Sequence, residues 1–411
     1  MFFSKPVLLL AAASLLAQPS KFSPSLAERA DVKRALAFID AHYDEQVAEW
    51  IKITEIPAPS TEEQARAGYI KAELEKLGLT VKIDPNGNVE TRLKGSGGGP
   101  TVVLAAHMDT VFPAATNVHV TRKPDGTLHA PGIGDNTSSV TNLLQTVRAM
   151  REASFQTKGD LIILFTVQEE IGLKGMYAWL ERNPKVADLL VGLDGGIGPV
   201  RYGALGIYWS KMKFTGPGAH TNRSKGAPNP VLAAARCITD IYTVPSPGDS
   251  VYNVGGMISA GNIVNAIPQE VTFTVDLRTV DKQLLASLDD AIVSKCDAAA
   301  RAQKVGFTRE WIQKSEAGGR ADELEDRRKH PIVQTGIDVL RYLGVSLIAG
   351  QEALATGSTD ANVGVVNGIP SISAGGSNGN GAHTLTEWSK ADSARIGTKQ
   401  IILLAAALTE P

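Results

Sequence analysis

Five short segments each place a metal-type ligand at the end of an apolar run. They are His107-Met108-Asp109, Gly134-Asp135-Asn136, Gln168-Glu169-Glu170, Leu193-Asp194-Gly195 and Ala382-His383-Thr384. Open α/β sheets bind ligands at the carboxyl ends of their strands, so side chains that follow strands can meet at one edge. Imidazole and carboxylate ligands without thiolates suit Zn²⁺, although Co²⁺ or Mn²⁺ would also fit. The pattern therefore predicts a metal centre with hydrolytic chemistry.

The spacing inside two of these segments indicates separate roles for neighbouring residues. His107 and Asp109 are two residues apart on an extended segment, so both side chains can point the same way. Asp109 can then accept the proton on the far nitrogen of His107 and fix its tautomer. Glu169 and Glu170 are adjacent, and two such carboxylates repel unless a cation binds one and the other accepts a proton. We interpret one as a ligand and the other as a general base.

The charge balance favours two ions rather than one. Asp135, between a glycine and the start of a helix, suits a carboxylate that bridges two ions. Together with one bridging hydroxide, the carboxylates of Asp135, Glu170 and Asp194 neutralise two Zn²⁺. Glu169 is then free to receive the proton of the hydroxide's parent water. We therefore predict a pair of zinc ions that activates water and polarises a scissile carbonyl.

Each signal taken singly has a structural alternative. A lone histidine at a strand end is more often a structural residue, and an isolated Glu-Glu pair is more often solvated surface. A silent binding protein on the same scaffold is a further alternative, but it need not retain a base such as Glu169 beside a ligand glutamate. Serine-based catalysis has little support, since the one G-x-S-x-G match, at 375–379, lies in a glycine-rich loop rather than on a predicted strand-to-helix turn. The conjunction of all five segments favours a hydrolase.

Strand and helix patterns alternate through the first half of the chain. Continuous aliphatic and β-branched runs at 101–106, 161–167 and 189–193 predict strands buried on both faces. Helical spacing predicts helices over 26–49 and directly after Asp135, and another over 61–77 that Ser60 and Glu63 begin as a capping box. This alternation predicts an α/β sheet core.

A different pattern follows residue 206. Strands are predicted at 207–214, 271–275 and 307–312, with helices that begin at Asn229-Pro230 and that cover 283–302. This is a compact α+β insertion of about a hundred residues, an ordinary size for a small domain. We predict a catalytic domain at 25–206 and 321–411 with an inserted domain at 207–320. Two domains are expected for 411 residues.

Composition limits the partners and suggests the compartment. Net charge is -2, which gives no electrostatic footprint for nucleic acid or an anionic membrane. Residues 1–20, with Lys5 beside a short apolar stretch, are predicted to be a signal peptide of a periplasmic or secreted protein, or alternatively an uncleaved anchor or disordered tail. No other segment predicts a membrane span. The two cysteines, Cys237 and Cys296, are predicted to be buried free thiols, with a disulfide as the alternative in an oxidising compartment.

From about residue 25 onward the chain resembles the co-catalytic dizinc exopeptidases, which include peptidase T, glutamate carboxypeptidase, aminoacylase and succinyl-diaminopimelate desuccinylase. The motifs that carry the resemblance are HMDTVFP (107–113), GIGDNTSSV (132–140), QEEIGLKG (168–175), GLDGG (192–196) and GAHTLTEW (381–388). It implies an α/β, mixed-sheet catalytic domain of the phosphorylase/hydrolase type with an inserted α+β dimerisation lid domain. It also implies a homodimer.

The resemblance also implies a role for each residue of the metal centre. Two ligand sets share Asp135: His107 with Asp194 for one ion, and Glu170 with His383 for the other. Asp109 would orient His107, and Glu169 would deprotonate the bridging water and later protonate the leaving amine. The peptide bond after the bridging aspartate is often cis in the family, which here would be Asp135–Asn136.

Lid residues carry the implied contacts to substrate. His220, in GPGAHTNRSKGAPNP (216–230), resembles a histidine that reaches the partner's active site and stabilises the oxyanion. Asn265 and Arg278 resemble residues that grip the substrate carboxylate, although Arg278 is equally well explained as a surface charge. Gly357 lies in a turn that would face the substrate. The expected function is cleavage of a terminal amide bond in a small peptide or N-acyl amino acid; the alternative is an amidase acting on a non-peptide N-acyl substrate.

Overall fold

The computed structural model describes residues 19–319 and 321–411. Residues 1–18, which hold nearly all of the predicted signal peptide, lie outside the described residues. Within the described part, the structure has no helix that is both long and apolar enough to span a membrane.

Helices and strands alternate along most of the described chain. The helices are α1 (Pro24–Ala27), α2 (Ala30–Ala41), α3 (Tyr43–Thr54), α4 (Gln64–Lys76), α5 (Thr137–Glu152), α6 (Lys174–Arg182), α7 (Pro230–Ile241), α8 (Lys282–Gln303), α9 (Ala321–Arg328), α10 (Pro331–Tyr342), α11 (Ala361–Val366) and α12 (Ser393–Leu408). The strands are β1 (Val81–Ile83), β2 (Val89–Leu93), β3 (Val102–His107), β4 (Thr121–Arg122), β5 (Thr127–His129), β6 (Leu161–Thr166), β7 (Leu189–Leu193), β8 (Val200–Arg201), β9 (Gly206–Thr215), β10 (Ala219–His220), β11 (Val251–Ser259), β12 (Ala266–Ile267), β13 (Glu270–Thr279), β14 (Gly306–Ser315), β15 (Ala353–Leu354), β16 (Ser371–Ala374), β17 (Gly379–Asn380) and β18 (Trp388–Lys390).

The largest sheet has eight strands in the order β1-β2-β6-β3-β7-β16-β8-β15. Its central strands β6, β3, β7 and β16 are parallel, whereas β1 and β2 join antiparallel at one edge. The α/β mixed sheet expected from sequence is confirmed. The three predicted strands at 101–106, 161–167 and 189–193 correspond to β3, β6 and β7 within one residue at each end.

Helices cover both faces of this sheet. Val102 and Leu104 on β3 pack into one apolar cluster with α2, α5 and α12, whereas Val103 and Ala105 pack into another with α6 and α11. Successive strand residues point to opposite faces, so a strand between two helical layers must be apolar on both. This double burial fixes the depth and register of the strand ends that carry the candidate ligands.

A second sheet forms in the segment predicted as an insertion. It has the antiparallel order β11-β13-β9-β14, and α7 and α8 pack on one face around their own apolar cluster. Asn229 caps α7 as predicted, because its side chain accepts the backbone N–H of Val231 at 2.9 Å. The other face of the sheet is left for contact with the rest of the molecule.

Three sequence expectations are wrong in detail. The helix predicted over 26–49 is three helices, α1 to α3, because the apolar periodicity does not register the breaks between them. The helix predicted to begin at 61 begins at Gln64, and Ser60 is not its cap. Cys237 and Cys296 are not free thiols: they form a disulfide between α7 and α8, whose packing brings together residues 59 apart in sequence.

Candidate metal centre

The candidate ligands lie where several elements end at one edge of the large sheet. His107 is the last residue of β3, Asp194 follows β7, and Glu169 and Glu170 follow β6 by a short turn. These three strands are adjacent and parallel, so their carboxyl ends coincide. Asp135 lies just before α5, and the bond that joins it to Asn136 is cis, as the resemblance implied.

The structure brings the five predicted ligands together in two groups. In the first, Nε2 of His107 lies 3.2 Å from Oδ1 of Asp135 and 3.8 Å from Oδ2 of Asp194. In the second, Nε2 of His383 lies 3.1 Å from Oδ2 of Asp135 and 3.1 Å from Oε2 of Glu170. Asp135 thus offers one oxygen to each group, which is the arrangement of a bridging carboxylate.

The donor atoms of these groups fit divalent cations. Within each group, one ligand atom per residue lies within 4.8 Å of the others. Nε2 of His107 and Oε1 of Glu170 are buried and have no hydrogen-bond partner in the described part of the chain. Buried polar atoms without partners are rare in folded proteins, and a bound ion satisfies them. The nitrogen and carboxylate donor set matches the ligands that zinc takes in hydrolases.

Asp109 connects the histidine to the glutamate pair. Nδ1 of His107 lies 3.1 Å from the backbone oxygen of Asp109 and 3.4 Å from its Oδ1. The carboxylate of Asp109 also accepts the backbone N–H groups of Glu169 at 2.9 Å and Glu170 at 3.2 Å, and the hydroxyl of Ser60 at 2.6 Å. A proton on Nδ1 satisfies these oxygens and leaves Nε2 with its lone pair directed at the centre.

Glu169 lies beside the ligands in a poorly solvated position. Glu169 is 8% exposed. Burial raises its pKa well above the usual value, and the negative charges of Asp194 and Glu170 raise it further, whereas the positive charge of His107 acts to lower it. A carboxylate with a raised pKa can accept and return a proton near neutral pH.

The ligands themselves have perturbed ionisation in the metal-free protein. Burial, followed by the charge of Asp135, raises the pKa of Asp194 to about 7. Hydrogen bonds to Asp135 and Glu170 raise the pKa of His383 to about 10. A divalent cation reverses both tendencies, because it favours ionised carboxylates and neutral imidazoles.

Glu387 supports the centre, and the sequence reasoning missed it. The side chain is 2% exposed; Oε1 accepts the backbone N–H groups of Gly134 and Asp135 at 2.8 Å, and Oε2 accepts that of Gly132 at 2.6 Å. Burial raises the pKa of Glu387 to about 7. Its position four residues after His383 was a visible signal, but its partners lie about 250 residues earlier in the chain.

Two further supports were missed or misread. Asp360 is buried, and its Oδ2 accepts the hydroxyl of Thr166 at the end of β6; burial raises the pKa of Asp360 to about 6. Glu63, predicted as part of a capping box, instead accepts the backbone N–H of Gln168 at 3.0 Å. Thus the segment that was expected to start a helix holds the turn before the glutamate pair.

A cavity of about 370 Å³ opens over the candidate ligands. It is lined by Asp135, Glu169, Glu170, Asp194, Gly195, Arg201, Ile207, Trp209, Arg278, Gln313, Ser358, Thr359 and His383. The second sheet, β11-β13-β9-β14, here called the lid sheet, supplies Ile207, Trp209, Arg278 and Gln313. The uncovered face of that sheet therefore forms one wall of the cavity.

Of the residues predicted to contact substrate, only Arg278 lines the cavity among the described residues. Arg278 lines the cavity, but its Nε and Nη2 each lie 2.9 Å from a carboxylate oxygen of Asp276. Gly357 does not line the cavity, although the next residues of its turn do. His220 and Asn265 lie outside the cavity lining, exposed, with their side chains 3.4 Å apart.

Comparisons with known proteins agree with this geometry. The family model "Peptidase family M20/M25/M40" matches residues 103–407. Carboxypeptidase G2 from Pseudomonas sp. (strain RS-16) is 25% identical over 331 residues, which cover 78% of each protein. An N-acetyl-L-cysteine deacetylase from Bacillus subtilis (strain 168) is 26% identical over 242 residues, 56% of this chain and 58% of the relative.

Among solved structures, the fold is similar to that of a dinuclear metal-binding M20 peptidase from Bacillus subtilis. The TM-score is 0.66 at 17% identity, and the match covers 90% of this chain and 99% of that one. Because the family model spans well over half of the sequence, the chain belongs to peptidase family M20/M25/M40 and is a hydrolase that acts on peptides or N-acyl amino acids.

Proposed function

We propose that this protein is a two-zinc exopeptidase or acylase that cleaves a terminal amide bond of a small peptide or N-acyl amino acid. The observation that carries the proposal is the pair of ligand groups that share Asp135, with Glu169 beside them in one cavity. His107 and Asp194 would hold one ion, and Glu170 and His383 the other. When bound, such a metal pair lowers the pKa of a water molecule and polarises the scissile carbonyl.

Glu169 would act as the general base and then as the general acid. It takes a proton from the attacking water as the water adds to the amide carbon. It then delivers that proton to the nitrogen of the leaving amine, so that the C–N bond breaks to give an acid and an amine. The buried setting of Glu169 supports this role, because its raised pKa favours holding the proton between the two steps.

Asp109 would keep the reacting groups aligned. Its carboxylate contacts the ring of His107 and the backbone of both glutamates. Hydrogen bonds of this kind fix the orientation of a ligand imidazole and of the turn that carries the base.

A homodimer formed through the lid domain would complete the site. Within the described residues, β11 is an edge strand, and it carries the exposed apolar side chains of Val251, Met257 and Ile258. An open strand edge with exposed apolar residues can pair with a second chain. His220 and Asn265 lie outside the cavity of their own subunit, which supports a role for them in the partner's cavity.

Export to the periplasm or the exterior is also proposed. The apolar segment near the amino terminus and the Cys237–Cys296 disulfide support it, since disulfides persist in oxidising compartments. Cell fractionation with amino-terminal sequencing of the mature protein tests this. A cytoplasmic protein that retains Met1 contradicts it.

The main test is turnover by protein loaded with a known metal content. Metal analysis should give two zinc ions per chain, and a chelator should abolish hydrolysis of a panel of dipeptides, tripeptides and N-acetyl amino acids. Glu169→Gln should lower kcat by about 10²- to 10⁴-fold with zinc content unchanged. Glu181→Gln, an exposed change on α6, is the matched control and should have no effect. Chelator-insensitive turnover, or full activity of Glu169→Gln, overturns the proposal; turnover only of non-peptide amides favours the amidase alternative.

A further inference from the structure

Arg201 is a cation in the candidate active site that no carboxylate of the described residues neutralises. It ends β8, it is half-buried, and it lines the same cavity as Asp194 and Glu169. Within residues 19–319 and 321–411, its guanidinium forms no ion pair and no hydrogen bond. None of its nitrogens is among the buried atoms that lack a hydrogen-bond partner, so its five N–H groups remain accessible to a ligand that enters the cavity.

Arg278, the other arginine of the cavity, is in the opposite state. Asp276 occupies its Nε and Nη2 with two contacts of 2.9 Å, and its guanidinium lies 5.7 Å from the ring of Trp209. Asp276 thus occupies the Nε/Nη2 edge of the fork and offsets its charge, so a second carboxylate would find a weaker attraction and only the remaining N–H groups. Of the two arginines, Arg201 is therefore the one ready to receive a substrate carboxylate.

Two glycines shape the path of the Arg201 side chain. A Cβ added to Gly357 would lie 2.8 Å from Cδ of Arg201, so only glycine leaves room for the stem. At the other end, Nη1 lies 3.5 Å from the position of a Cβ on Gly195, whose φ of +81° also favours glycine. Gly195 directly follows Asp194, so the guanidinium ends beside the ligand-bearing turn.

We propose that Arg201 binds the free carboxylate of the residue released by cleavage. The substrate class is then an N-acyl amino acid or a peptide cleaved at its carboxyl terminus, rather than a peptide gripped by its amino terminus. This inference rests on the proposed function of the same site. With two zinc ions offsetting Asp135, Glu170 and Asp194, the carboxylate of Glu169 would still repel a substrate carboxylate in this cavity unless a cation receives it. A planar guanidinium does so with two parallel hydrogen bonds.

A purely electrostatic role for Arg201 makes a different prediction. If its charge only offset the ligand carboxylates, its loss would weaken zinc binding and would slow acidic and neutral substrates alike. If it receives the substrate carboxylate, its loss matters only for substrates that have one. A pair of substrates that differ in this group alone separates the two roles.

The experiment compares N-acetyl-leucine with N-acetyl-leucinamide, and the corresponding phenylalanine pair, in wild type and Arg201→Met. Methionine keeps an apolar stem against Gly357 without the charge. We expect KM for the acid to rise about 10- to 100-fold, with KM for the amide and the zinc content unchanged. Arg201→Lys should retain part of the preference for the acid, since it keeps charge without the fork. Arg301→Met, an exposed arginine near the end of α8, is the matched control and should leave both substrates unaffected.

A binding measurement keeps the test independent of turnover. In Glu169→Gln protein loaded with zinc, calorimetry should show tighter binding of N-acetyl-leucine than of its amide, and Arg201→Met should remove the difference. Equal losses for acid and amide, reduced zinc content, or no change for either ligand overturn the assignment. If wild type hydrolyses no member of the panel, the proposed function fails, while the binding arm still decides the role of Arg201.

Discussion

The two walls of the cavity differ in how firmly the fold fixes their functional groups. On the wall formed by the large sheet, here called the catalytic wall, Asp194 and Glu170 follow parallel strands that are buried on both faces, and His107 ends the strand between them beneath the cavity lining. On the lid wall, Arg278 is paired with Asp276, and His220 lies exposed outside the cavity. The candidate ligands are thus built on the doubly buried core of the large sheet, which also carries Arg201 on β8, whereas the lid wall is a sheet that packs around its own apolar cluster.

The largest effect is expected on the catalytic wall. Asp135→Ala removes the only side chain shared by both ligand groups, so we expect loss of both zinc ions and a fall in kcat/KM of about 10⁴-fold or more. The lid counterpart, Asp276→Asn, releases Arg278 but touches no ligand. It should keep two zinc ions and change kcat/KM by less than about tenfold. Zinc analysis and steady-state kinetics check both variants. A comparable loss of zinc and of kcat/KM in the two variants would contradict the expected difference between the catalytic wall and the lid wall.

An intermediate effect is expected from the exposed lid histidine. His220→Ala should lower kcat by about 10²- to 10³-fold if its imidazole stabilises the oxyanion in the partner's site. Co-expression of His220→Ala with Glu169→Gln should then restore about one quarter of wild-type activity, because half of the dimers carry one intact site. Absence of recovery in a mixed dimer verified by mass contradicts an intersubunit role.

A smaller, graded effect is expected from pH on zinc affinity. The imidazole of His383 has a pKa raised from 6.5 to about 10 by Asp135 and Glu170, so in the metal-free protein it holds a proton at neutral pH. That interaction stabilises the metal-free fold fully below pH 6.5 and is lost as pH rises through 10. Zinc must displace the proton, so affinity should rise about tenfold per pH unit between 6 and 8 for each proton released. Competition with a chelator measures it, and a flat profile contradicts it.

The smallest catalytic effect is expected from the lid disulfide. Replacing Cys237 and Cys296 by serine removes a cross-link that closes a loop of 59 residues, which stabilises the folded state by about 4 kcal/mol in the chain-entropy model. The bond lies in the lid core between α7 and α8, away from the metal ligands. We expect a lower thermal midpoint but kcat within about twofold of wild type. A large loss of kcat would contradict this expectation and show that the packing of the lid core affects the catalytic residues.

Much of the fold was predictable because its signals are local. Apolar runs identified β3, β6 and β7, and the residues that follow them supplied the ligands. One helix was predicted where the structure has three, α1 to α3, because apolar periodicity continues across the short breaks between them. Tertiary packing, which is not a local signal, makes those breaks favourable.

The supporting groups were not predictable in the same way. Glu387 holds backbone groups about 250 residues away, and Glu63 holds a turn 105 residues away. Nothing near either residue in sequence identifies its partner. Ser60 followed by Glu63 matched a capping box, but both side chains form other hydrogen bonds. Ser60 donates to the carboxylate of Asp109, and Glu63 accepts the backbone N–H of Gln168.

The sequence by itself determined the kinds of ligand, their order and their positions after buried strands, since strand burial and side-chain chemistry are properties of short segments. Only the tertiary structure decided which charges share one cavity. Arg278 and Asp276 lie two residues apart on β13, so their pairing is local in sequence. That Arg201 on β8 faces the same cavity as Asp194, without a partner among the described residues, depends instead on how distant elements pack, because electrostatic partnership follows distance in space.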